Sequence, residues 1–68
     1  MHPPDWQVIG QGASGLNQYE VQGKFFPNGI LARIVFDELP PVELQGLFLD
    51  TISAVRAAVP VAASIFRN

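Results

Sequence analysis

Residues 16–26 alternate between apolar and polar side chains. Tyr19, Val21 and Phe25 fall on one face, with Gly23 between them, and Gln18, Glu20, Gln22 and Lys24 fall on the other. That period of two predicts a half-buried β-strand. Residues 30–36 repeat the pattern, with Ile30, Ala32, Ile34 and Phe36 on one face. Pro27-Asn28-Gly29 lies between the two runs, and Asn-Gly between apolar runs is a strong hairpin signal. Upstream, residues 6–9 form a short β-like run ending at Gly10, and the glycine-rich residues 10–15 read as a connecting loop. Residues 1–5, with Pro3-Pro4, read as an extended tail. Pro40-Pro41 ends the second long run, after which the period lengthens. Leu44, Phe48, Thr51, Ile52, Val55, Val59, Ala62 and Phe66 recur at spacings of three and four. Pro41 suits a first helical turn, and Glu43 would face the positive end of the helix dipole. The pattern therefore predicts a helix over 41–58, a kink near Pro60, and an extension to about residue 66. The expected fold is α+β: one domain spanning residues 1–68, with an antiparallel meander of two or three strands over 6–38 packed on a long C-terminal helix over 41–66.

The turn decides which side chains meet. An Asn28-Gly29 type I′ loop places Phe25 opposite Ala32 and Val21 opposite Phe36, so that both apolar stripes share one face. A type I turn with Gly29 as a bulge places Phe26 opposite Ile30 and puts the stripes on opposite faces. Burial favours the first arrangement, although Lys24 then opposes Arg33 and Glu20 opposes Asp37. The expected core is Trp6, Val8, Tyr19, Val21, Phe25, Ile34, Phe36, Phe48, Ile52 and Val55.

Composition narrows the classes. With 68 residues and no cysteine, the chain has room for one domain and no means of forming disulfides or thiolate metal sites. A domain below about 70–80 residues gains little net stability from its own core, which points to a partner surface as the supplement. Six acidic residues against four basic ones, with Lys24, Arg33, Arg56 and Arg67 spread along the chain, argue against nucleic acid as the partner. A single-strand binder using Tyr19, Phe25, Lys24 and Arg33 is disfavoured because the aromatics and the bases lie on different faces. His2 is the single histidine and sits in the tail, so no metal cluster and no Ser–His pair is expected. Asp37 and Glu38 are adjacent, and on a strand they would point to opposite faces. The expectation is a non-enzyme with no catalytic residues, cofactor or metal. The N-terminus lacks the basic region and apolar run of a secretory signal, and a cytoplasmic location, or one within an assembled particle, is expected.

Val8-Ile9-Gly10-Gln11-Gly12-Ala13-Ser14-Gly15-Leu16 resembles, in its glycines, the dinucleotide-binding fingerprint of flavin and nicotinamide enzymes. Asp37 and Glu38 follow a second β-like run where those families place the ribose-binding acid. The fingerprint needs a helix beginning at its third glycine to hold pyrophosphate. Residues 16–26 read as a strand instead, so the nine-residue resemblance implies no cofactor here.

The remaining signal is apolar surface in excess of what one helix and a small sheet can cover. Ala54, Ala58 and Ala62 form a row of small residues that would admit a close partner helix. Phe26, Leu31 and Val35 fall on the sheet face away from the helix. The expected partner interface comprises Phe26, Leu31, Val35, Leu47, Leu49, Ala54, Ala58 and Val61. These features predict a small protein-binding module: a self-assembling structural subunit, or an accessory protein docking on a larger complex, of a size common among phage and mobile-element proteins. The alternative is a membrane-surface protein anchored through its apolar C-terminal helix.

Overall fold

The two alternating runs form the centre of the sheet. In the computed structural model, which describes residues 5–65, they are β2 (Asn17–Phe26) and β3 (Gly29–Phe36), paired antiparallel. β1 (Gln7–Ser14) pairs with β2 on one side, and β4 (Val42–Glu43) pairs with β3 on the other. The result is a four-stranded sheet in the order β1-β2-β3-β4, crossed on one face by the helix α1 (Thr51–Ile65). The α+β class and the hairpin agree with expectation. The sheet has four strands, however, where two or three were expected, and the helix begins ten residues later.

The hairpin adopts neither of the two expected arrangements. Phe26 pairs with Gly29, Phe25 with Ile30, Val21 with Ile34 and Tyr19 with Phe36, so Pro27-Asn28 is the two-residue loop. Proline fixes φ near –65°, which suits the first central position of an ordinary turn, and Asn28 does not take positive φ. Gly29 does, at 150°, where a Cβ would lie 2.9 Å from Leu47 Cβ. The shift is two residues from the favoured arrangement, so it preserves the faces. Tyr19, Val21, Ile30, Ala32, Ile34 and Phe36 are all buried on the helix side. It also separates the like charges: Lys24 now opposes Leu31, Arg33 opposes Gln22, and Glu20 opposes Val35.

The glycine-rich segment is strand. β1 gains one extra residue at Ile9, where pairing shifts between Val8 and Gly10. That bulge inverts the alternation, so Gly10 and Gly12 face the helix layer. A Cβ on Gly10 would lie 2.7 Å from Val55 Cγ2, and one on Gly12 would lie 2.6 Å from Tyr19 Cζ. The glycines are spaces for neighbouring side chains. Gly15, at φ 64°, then opens the Gly15-Leu16 loop into β2 in the manner of a type II′ turn.

Residues 41–50 are not helical. Pro41 precedes β4, and the following chain lies along β3: Leu44 N–H donates to the Ala32 carbonyl at 2.9 Å, and Ile30 and Phe48 exchange backbone hydrogen bonds at 2.8 and 2.9 Å. The helix starts where Asp50 caps it. The Asp50 carboxylate accepts the Ser53 N–H at 2.7 Å. This bond holds the Asp50 carboxyl below its ordinary value of 3.8, with a smaller contribution from Arg56. α1 continues through Pro60 as one element. Pro60 and Arg56 lie on the exposed side, where water can bond the carbonyl that proline leaves unpaired. The expected helical position of Phe66 lies outside the described residues, as do residues 1–4 of the expected tail.

α1 faces the sheet with Ala54, Ala58 and Ala62, all fully buried. These small side chains let the helix sit close over β1, β2 and β3. The expected core changes accordingly. Tyr19, Val21, Ile34 and Phe36 are buried, while Trp6, Phe48 and Val55 are half-buried. Val8, Phe25 and Ile52 are exposed, Ile52 at 64%. The large apolar residues of the helix sit at its rim because alanines occupy its centre.

Candidate interaction surface

Pairing places Trp6, Val8, Gln11 and Ala13 of the first strand region on the sheet face opposite the helix, together with Glu20, Gln22, Lys24 and Phe26 of β2 and Leu31, Arg33 and Val35 of β3. Among the described residues, no second helix covers this face. Trp6 was expected in the core. It lies instead outside the sheet, beneath two cations: Arg33 Cζ is 4.2 Å and Lys24 Nζ 5.0 Å from the ring centroid. Each such contact contributes roughly 0.5–1 kcal/mol at an exposed site. Arg33 is further fixed by donating from Nε to Gln22 Oε1 at 2.8 Å. The two bases expected to repel each other across the hairpin thus share one indole.

Four of the expected interface residues gather on this outer face. Phe26 is exposed at the hairpin tip, beside Gly29, and Leu47 stands against Gly29. Leu31 and Val35 are half-buried farther along β3. Leu49 is 92% exposed just before the helix. Ala54 and Ala58 are not surface residues: the chain's own sheet covers them, so the small-residue row serves an intramolecular contact. Val61 is half-buried and packs against the same core. The pattern did not single out Trp6, Val8, Ile52 or Val59 as surface. The Ile9 bulge, which sets the facing of β1, has no mark in the alternation.

A groove of ≈ 580 Å³ on the sheet is lined by Gln11, Ala13, Gln18, Glu20, Val35 and Asp37. A smaller hollow beside the β1–β2 turn is lined by Leu16, Phe36 and Leu39, among others. Among the described residues no group of three His, Cys, Asp or Glu is placed to hold a metal ion, and no helix is long and apolar enough to cross a membrane. His2 lies outside the described residues. The glycines that resemble a dinucleotide fingerprint lead into β2, where the fingerprint would need the N-terminus of a helix.

No family model, no curated protein and no solved structure matches the chain.

Proposed function

We propose that the protein is a small non-catalytic protein-binding module that works by assembly, as a structural subunit or as an accessory protein on a larger complex. One observation carries this reading. Helix α1 covers one face of the sheet, and the opposite face holds Trp6, Val8, Phe26, Leu31, Val35 and Leu47 among a few charges. Contiguous apolar surface of this kind is what protein-binding faces present. A partner on this face would bury at least about 1,000 Å² in total.

The test is the mass of the protein in solution across a concentration series, with and without candidate partners. Val35→Lys should dissolve the complex and leave the fold intact, because the new cation would face Glu20 across the hairpin. A protein that remains monomeric at high concentration and takes up no partner contradicts the reading.

The membrane-surface alternative draws on a different part of the molecule. Ile52 and Val59 are exposed on α1, next to the exposed Leu49. The centre of that exposed side carries Ser53, Arg56, Pro60 and Ser64, which is a polar front for insertion between lipids. Vesicle binding that Ile52→Glu abolishes would favour this alternative over assembly.

A further inference from the structure

We infer that β1 is the self-association edge, and that two copies pair antiparallel through residues 10–14 to make one continuous eight-stranded sheet, twice the four strands of a single chain. This rests on the assembly reading above and names its partner: a second copy of this chain.

Three observations converge on that edge. The first is the backbone. An edge strand presents a row of N–H and C=O groups, and natural sheets blunt such edges with charges, proline or very short strands. The opposite edge of this sheet is blunted, since β4 is two residues long and follows Pro40-Pro41. β1 is eight residues long, with sequence QVIGQGAS, and contains neither a charge nor a proline. Its one irregularity, the bulge at Ile9, lies outside residues 10–14.

The second is self-complementarity. A twofold axis through Gly12 pairs Gly10 with Ser14 of the second copy, and Gln11 with Ala13 of the second copy. No like charges meet and no large side chain opposes another.

The third is the helix. Antiparallel pairing about an axis normal to the sheet keeps both helices on the same face. Val55 touches β1 at Gly10, and Ile52 and Val59 lie three residues before and four after it, on the same side of α1. Both are more than half exposed, at 64% and 53%. They are the apolar side chains that overhang the β1 edge.

The experiment is sedimentation of the full chain over a concentration series, with circular dichroism and thermal melting as fold controls. The wild-type chain should form a dimer. Gln11→Lys combined with Ala13→Lys, both at exposed outer-face positions, sets lysine against lysine twice across the axis and should weaken association by roughly tenfold or more. Gln11→Lys combined with Ala13→Glu sets opposite charges together twice and should restore the dimer. If both double variants weaken it equally, the pairing about Gly12 is wrong. If neither does, but Val35→Lys dissolves the oligomer, the β1 edge is not the contact, while assembly through the outer face stands. A wild-type chain that is monomeric throughout overturns self-association at this edge.

Discussion

The two edges of the sheet are finished differently. Along β3, residues 42–48 return to meet the strand: Ile30 and Phe48 exchange hydrogen bonds, Ala32 accepts from Leu44, and Ile34 pairs with Val42. The segment is irregular, yet it satisfies the backbone of β3 and then stops. Along β1, nothing among the described residues pairs with the outer side. The chain thus contains a working device for closing an edge and applies it to one side only. β1 is the longer and less charged of the two outer strands, and this contrast is what supports the proposal that a second copy pairs there.

The largest expected effect comes from removing what both edges share. Ile34 is fully buried in β3, beneath the helix and between Val21 and Val42. Ile34→Ala should cost about 2–5 kcal/mol, a large part of the stability of so small a domain. Urea unfolding should show the whole sheet melting in one step at a much lower midpoint.

Gly29→Ala should act on the closed edge. At φ 150° an alanine is strained, and its Cβ would stand 2.9 Å from Leu47 Cβ and 3.1 Å from the Phe48 carbonyl oxygen. A cost of about 1–3 kcal/mol is expected from the backbone alone. Displacing residues 47–48 should open β3, so sedimentation should detect species larger than those of the wild type.

Gly12→Ala acts on the open edge and should cost less, near the low end of the roughly 1–3 kcal/mol typical of overpacking, because only the Tyr19 ring must yield. Denaturant midpoints for the two glycine variants, measured side by side, give the order directly.

The smallest effect concerns the helix that overhangs β1. Asp50 has a carboxyl pKa lowered by the Ser53 N–H, so its ionised form stabilises the folded chain. That contribution is present above the unfolded value of 3.8 and is lost as pH falls through the lower folded value. Asp50→Asn keeps a capping side chain but cannot titrate. The variant should therefore lose less of its melting temperature than the wild type on acidification below about pH 4.

The central hairpin was legible because its residues satisfy one demand at a time. Alternation from Gln18 to Phe26 and from Ile30 to Phe36 reports which face each side chain takes, and the observed pairing keeps every one of those facings, although Phe25, near the hairpin end, is exposed. Elsewhere the residues answer to neighbours distant in the chain. Gly10 and Gly12 resemble loop glycines, but they are small because Val55 and Tyr19 occupy their space. Pro41 and Glu43 resemble a helix start, yet the chain there is held to β3, and the cap that begins the helix is Asp50. The alanine row was read as outward-facing because large apolar residues ordinarily take the core. Here the close approach of helix to sheet reverses that order. Of the proposed interaction surface, the outer-face positions of Phe26, Leu31 and Val35 follow from the pattern. Trp6 and the free edge of β1 depend on the bulge at Ile9, which alternation does not report.

Hydrogen exchange of backbone amides, followed at low and high protein concentration, compares the two edges in one experiment. The amides of Ile30, Leu44 and Phe48 should be protected equally at both concentrations, because their partners belong to the same chain. The amides of residues 10–14 that are not bonded to β2 should exchange freely when dilute and slow down as the concentration rises. If those β1 amides exchange at the free rate at every concentration, the claim that this edge is closed by a second copy is wrong.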